Sequence, residues 1–186
     1  MRLPYEGKYP ITQTFGNDLV INGVHIYKQW GLLGHNGIDF GLPTGTSVLA
    51  PHNGVIKEAL FDAGGYGYYV KIENSKEGSV LGHFQKINVP QGSTVTEGQV
   101  VGISDNTGNS TGAHLHWGYY VIPRNRSNGY NGFIDQYNLI KQFIESNPLQ
   151  VQLDDLQKQY DDLRVKYNTL KSIIADSRKI LNQANI

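Results

Sequence analysis

The chain has 186 residues with Lys plus Arg and Asp plus Glu equal at 16 each, so no net charge recruits nucleic acid or an anionic membrane, and both partners are set aside. It contains no cysteine, which removes disulfides and thiolate metal sites and leaves histidine and carboxylate as the available metal ligands. No apolar run approaches the ~20 residues of a membrane span. The N-terminal MRLPYEGKYPITQTFG has no basic segment leading into an apolar stretch, so no signal peptide is expected.

With 22 glycines and 12 tyrosines the composition is that of a β-rich domain. Taken in order, residues 11–15 alternate as a first strand and end at Gly16. Residues 17–34 form a long irregular connection containing the turn signal Asn22-Gly23, together with Ile26, Tyr27, Trp30 and a loop histidine, His25. Long loops within compact domains are usually functional or disordered, and this one is expected to wall a cleft. Strands are predicted at 47–50 and 54–60 across a turn at 51–53 that makes His52 a surface histidine, then at 66–73, 79–84 and 99–104. The stretch 107–118, TGNSTGAHLHWG, runs from a Gly- and Ser-rich loop into a strand that continues through 118–122. Side chains two apart on a strand share a face, so His114 and His116 converge, while Leu115 and Trp117 form the other face. The pattern predicts an antiparallel β domain over 1–135 and a linker with a short helix over 136–148.

From 149 the pattern changes. Leu149, Leu153, Leu156, Tyr160, Leu163, Tyr167, Leu170, Ile174, Ser177 and Leu181 recur at alternating spacings of four and three, a heptad seam over 149–186. Asp154, Asp155, Asp161 and Asp162 precede Arg164, Lys166, Lys171, Arg178 and Lys179, which complements the helix dipole. Self-association through this helix is expected; its alternative is one amphipathic helix folded back on the β domain.

Hydrolytic zinc takes roughly three protein ligands and keeps one position open. Three histidine-bearing segments are candidates: GHNGIDF (His35, Asp39), LGHF (His83) and AHLHWG (His114, His116). A lone His-x-x-x-Asp arises often by chance; with H-x-H, flanking glycines and a further histidine, chance becomes a poor account. Tyr66, Tyr68 and Tyr69 either line a peptide groove or pack a β surface, and Asn106 and Asn109 flank the site loop.

GHNGIDF with PTGTSVLAPHNGVI, LGHF with KINVPQGSTVTEGQVVG, and NTGNSTGAHLHWG, in this order over residues 11–120, resemble the lysostaphin and LytM-type zinc endopeptidases that cut peptidoglycan. The resemblance implies His35, Asp39 and His116 as zinc ligands. It places His83 and His114 around the attacking water and the scissile carbonyl, with His114 as base and His83 as stabiliser or the reverse. It also implies a bacterial peptidoglycan substrate. With no signal peptide expected, the helix suggests an extracellular, virion-associated enzyme assembling with copies of itself or with a phage-tail partner. The alternative is a catalytically silent peptidoglycan-binding or structural module assembled through the helix.

Overall fold

The computed structural model describes residues 1–146 and 148–184. The chain divides into two compact units, the first made of Met1–Tyr5 and Tyr9–Ser146, the second carrying the long C-terminal helix. The strands are β1 (Ile11–Gln13), β2 (Val20–Ile21), β3 (Val24–His25), β4 (Ile38–Phe40), β5 (Ser47–Leu49), β6 (Gly54–Asp62), β7 (Gly67–Glu73), β8 (Glu77–Ile87), β9 (Thr94–Val95), β10 (Val100–Ser104) and β11 (Leu115–Val121). Helices α1 (Tyr137–Ser146) and α2 (Pro148–Ala184) follow.

The main sheet runs β1-β4-β11-β8-β7-β6-β9, with β10 pairing both β8 and β5, and all of its pairings are antiparallel. This is the mainly antiparallel fold that the strand spacing predicts. Period-two alternation explains its two faces. Ile38 and Phe40 of β4, and Leu115 and Trp117 of β11, are fully or almost fully buried and join Leu42, Val48, Ile56, Val70, Ile72, Leu81 and Phe84 in one core. Asp39 and His116 lie between these positions and therefore face the other way. A second cluster, Val80, Tyr120 and Phe133, is covered by the Arg124 guanidinium, 4.2 Å above the Tyr120 ring and 4.3 Å above that of Phe133.

The longest strand, β8, changes partner along its length. Its first half pairs with β11, ending at His116 opposite Gly82, and its second half pairs with β10, starting at Phe84 opposite Ser104. Between them His83 takes a positive φ of 64°, and on the β7 side Tyr68 faces Phe84 whereas Val70 faces Leu81. One extra residue in β8 makes this a bulge, a device that re-aims a side chain beside a site.

Two sequence expectations need correction. Residues 17–34 are not irregular: β2 and β3 form a hairpin across Asn22-Gly23, both at positive φ as a two-residue primed turn requires. A 3₁₀ turn, Ile26–Trp30, follows and closes on Gly31 at φ 70°. His52 is not a surface residue but is 2% exposed. Its Nδ1 hydrogen-bonds the Asn53 carbonyl at 3.0 Å, and its Nε2 meets Ser79 Oγ at 3.0 Å, which in turn accepts from Trp117 Nε1 at 3.1 Å.

In the second unit α2 is a single helix whose predicted seam side chains from Leu149 to Ile174 are exposed. The side chains of Leu181, Asp154, Asp155 and Arg178 lie outside what the structure describes.

Candidate metal centre

Asp39 and His116 are paired directly across β4 and β11. Opposed residues on antiparallel strands hold their side chains side by side on one face, and His116 Nδ1 sits 3.0 Å from Asp39 Oδ1. His35 enters from the turn before β4, which is tied to the preceding chain by bonds from Gly16 N–H to the His35 carbonyl and from His35 N–H to the Asn17 carbonyl. Its Nε2 lies 3.0 Å from His116 Nδ1 and 3.2 Å from Asp39 Oδ1. All three residues are buried.

The close approach has a backbone cause. A Cβ on Gly37 would lie 2.6 Å from His116 Cε1 and 2.7 Å from the Trp117 carbonyl, so only glycine lets the turn press against β11.

The arrangement fits a small divalent cation. His35 Nδ1–H donates to the Thr14 carbonyl at 3.2 Å, which leaves a lone pair on Nε2 facing the Asp39 carboxylate. His116 Nε2 is buried without a hydrogen-bond partner, so what Nδ1 meets decides the tautomer of this ring. Three donor atoms at 3.0–3.2 Å from one another lie a few tenths of an ångström inside the edges of about 3.3–3.6 Å that a tetrahedral zinc with bonds of ~2.0–2.2 Å needs, so a small outward shift seats the ion. Two nitrogens and one carboxylate oxygen are also the donor types that hydrolytic zinc takes. Burial by itself would raise the Asp39 carboxyl, but its close contacts with the His116 and His35 imidazoles outweigh it and hold the group far below the usual carboxylate range. Burial pushes His116 down, against the pull of Asp39. Both effects favour a charged carboxylate and a neutral imidazole, the forms that ligation requires.

Two further imidazoles complete the cluster. His114 lies just before β11, in a bridge to Asp105; its Nδ1 is 2.8 Å from the Gly112 carbonyl and its Nε2 is 3.6 Å from Asp39 Oδ2. His83, on the β8 bulge, has Nδ1 2.8 Å from the Thr107 carbonyl and its ring centroid 4.4 Å from that of His114. A carbonyl only accepts, so Nδ1 carries the proton in both rings and Nε2 keeps its lone pair. Burial, reinforced by His114 and His116, lowers His83 to about 4.

All five sequence-predicted residues thus meet in one place. They line a cavity of about 880 Å³ together with Asn36, Tyr66, Asn109 and seven residues of the 19–32 segment, among them Leu19, Ile21, Gln29 and Trp30. Of the three tyrosines in question, Tyr66 lines it, its hydroxyl accepting from Asn36 Nδ2 at 2.9 Å and its ring 5.1 Å from that of His116. Tyr69 instead donates to Glu58, and Tyr68 packs on Phe61. The sequence reading missed Asn36 and the carbonyls of Thr14, Thr107 and Gly112. Asn36 stands inside the GHNGIDF motif and could have been suspected; main-chain carbonyls leave no trace in side-chain identity.

Comparison with known proteins agrees with this geometry. The chain is 38% identical over 92 residues to the peptidoglycan DD-endopeptidase ShyA of Vibrio cholerae, a match covering 50% of this chain and 21% of that protein. It spans about a fifth of the length of the curated relatives it matches first. The catalytic domain of the antimicrobial peptidase lysostaphin from Staphylococcus simulans superposes with a TM-score of 0.58 at 32% identity, covering 72% of this chain and 92% of that one. A zinc-containing peptidase from Vibrio cholerae superposes at 0.57 with 27% identity, covering 72% of this chain and 38% of that one. Residues 33–129, just over half of the sequence and the span from the turn before His35 to beyond His116, match Peptidase family M23. With motif order, sheet and donor cluster all in agreement with that match, the chain belongs to peptidase family M23.

Proposed function

We propose that the protein is a zinc metalloendopeptidase that hydrolyses peptide bonds in bacterial peptidoglycan, in stem peptides or cross-bridges. The observation that carries this reading is the meeting of three metal donors and two further imidazoles with free Nε2 atoms around one cavity. The cofactor is zinc, held by His35, Asp39 and His116. Zinc bound there supplies Lewis acidity, polarising the substrate carbonyl and acidifying a water.

The chain's own groups do the rest. His114 Nε2 faces the cluster and takes the proton of the attacking water as general base. His114 then gives that same proton to the departing amine, which closes the proton count, while His83, its ring 4.4 Å from that of His114, stabilises the oxyanion when its Nε2 is protonated. The Gly112 carbonyl fixes His114 in the tautomer a base needs, and the Thr107 carbonyl orients the His83 ring through its Nδ1. A DD-endopeptidase relative and an antimicrobial peptidase neighbour support the substrate class.

His116→Ala should abolish both zinc retention and wall lysis, read by metal analysis and by turbidity of a cell-wall suspension. Full lysis without zinc would overturn the assignment. A silent binding module would hold zinc yet release no new amino termini from walls of several chemotypes.

The exposed seam of α2, with Leu149 at 79%, Leu163 at 65% and Tyr160 at 60%, supports assembly of the protein through residues 149–186, with copies of itself or with a phage-tail partner. An exposed apolar stripe on a helix of 37 residues gains free energy by association.

A further inference from the structure

The two walls of the cavity differ in kind. One is the hairpin and 3₁₀ turn, which present Leu19, Ile21, Ile26, Tyr27, Trp30 and Leu32, with Gln29 as the polar exception. The other, from the 62–66 and 109–113 segments, is mainly polar, with Asp62, Asn109, Ser110 and Thr111 beside Tyr66 and Ala113. Several of the apolar side chains are solvent-exposed, Ile21 at 46% and Trp30 at 42%. Exposed aliphatic and aromatic side chains grouped on one wall of a cleft mark a binding surface.

This wall is fixed to the metal centre. The Asn17 carbonyl at the root of the hairpin accepts from the His35 N–H, and the Tyr27 ring lies 5.5 Å from the His35 ring. Gly34 closes the root: a Cβ there would come within 2.5 Å of the Gly16 carbonyl oxygen. His25 Nδ1 pairs with Asp18 Oδ2 at 2.6 Å and Ile26 N–H bonds the Leu19 carbonyl at 2.9 Å, so the hairpin is braced internally. A group resting on it is therefore held at a set distance from the bond to be cut.

We infer that the apolar wall formed by residues 19–32 is a specificity subsite that takes an aliphatic side chain beside the scissile amide, selecting cross-links made of side-chain-bearing residues over chains of glycine. This rests on the proposed hydrolase reading and names its substrate class. Glycine has no side chain to bury, so a glycine bridge gains nothing from the wall. An alanine methyl or the alkyl stem of a diamino acid removes apolar area from water there. The polar wall is left to the main-chain amides of the same peptide. Among the described residues that line the cavity none is lysine or arginine, so apart from the metal itself it offers no fixed cation to a free terminal carboxylate and suits a bond inside a cross-link.

The test uses the zinc-loaded full chain and two muropeptide dimers, one cross-linked directly from alanine to a diamino acid, the other through a glycine bridge. Ile21→Ser and Trp30→Ala lie on exposed positions and leave the core intact. Each should lower kcat/KM on the direct dimer about tenfold, the scale of a lost apolar pocket contact, and leave the glycine-bridged dimer within about twofold. Equal losses on both dimers, or a wild-type preference for the glycine bridge, would overturn the inference.

A second readout needs no turnover. Trp30 is one of two tryptophans and the other, Trp117, is fully buried, so in His114→Ala the direct dimer should shift the emission to the blue and the glycine-bridged dimer should not. If neither dimer is cut while this shift is seen, the hydrolase reading falls and the subsite stands. Cleavage of both dimers at equal rates with no shift leaves the hydrolase reading intact and removes the subsite.

Discussion

His83 occupies a backbone conformation that side chains with a Cβ seldom adopt, with φ at 64°, and it is 6% exposed. Its folded value of about 4 lies below the 6.5 of an unconstrained histidine, so the unfolded chain takes up the proton first. Its effect on stability is absent above about pH 6.5 and grows unfavourably as pH falls toward about 4, to roughly 3 kcal/mol at most. His83→Asn, which tolerates the positive φ, should flatten the fall of the denaturant midpoint between pH 7 and 4 relative to wild type. In turnover, His83→Ala and His114→Ala should each keep zinc while lowering kcat by ~10²–10⁴. Loss of the metal in either would move that residue into the ligand set. Gly37→Ala should reduce both stability and zinc affinity, because the added methyl meets His116 Cε1 and the Trp117 carbonyl. At this scale the site was legible in part: alternation pairs His114 with His116 and four-residue spacing pairs His35 with Asp39, while His83 and the division into ligands and catalytic groups came from the family resemblance. The tautomer-setting carbonyls were not, because every residue has one and only the fold selects which.

Among the elements, the longer strands could be read from alternation, whereas β4 could not. Three residues, Ile38–Phe40, are too few to show a period, and they gain strand geometry only from pairing with β1 and β11. The hairpin at 17–34 was half visible. Asn22-Gly23 announces its turn, but two-residue strands give no pattern. His52 was misread for a different reason: its burial depends on Ser79, 27 residues away, which no local signal reports. Ser79 Oγ stands between His52 Nε2 and Trp117 Nε1, tying the 51–53 turn, β8 and β11 together. Ser79→Ala should leave that indole N–H unpaired and lower stability by ~1–3 kcal/mol, measurable by urea unfolding. An unchanged midpoint would show that the link is geometric only.

For the molecule as a whole, the β unit has its own core and the helix α2 leaves its apolar seam to solvent. Sedimentation of the full chain against a chain ending at Ser146 should show an oligomer for the first and a monomer for the second. An unchanged monomer would defeat assembly through the helix. The heptad spacing was plain in the sequence, but spacing does not say which surface covers a seam, and that is why partner and stoichiometry could not be read from it. The direct pairing of Asp39 with His116 carries one more consequence. These residues are 77 apart in the chain, and a one-residue slip of β11 would turn His116 into the core and bring a neighbouring apolar side chain into its place. A mispaired molecule therefore cannot complete the donor triangle, and metal uptake by a freshly folded sample doubles as a proofreading assay for correct sheet assembly.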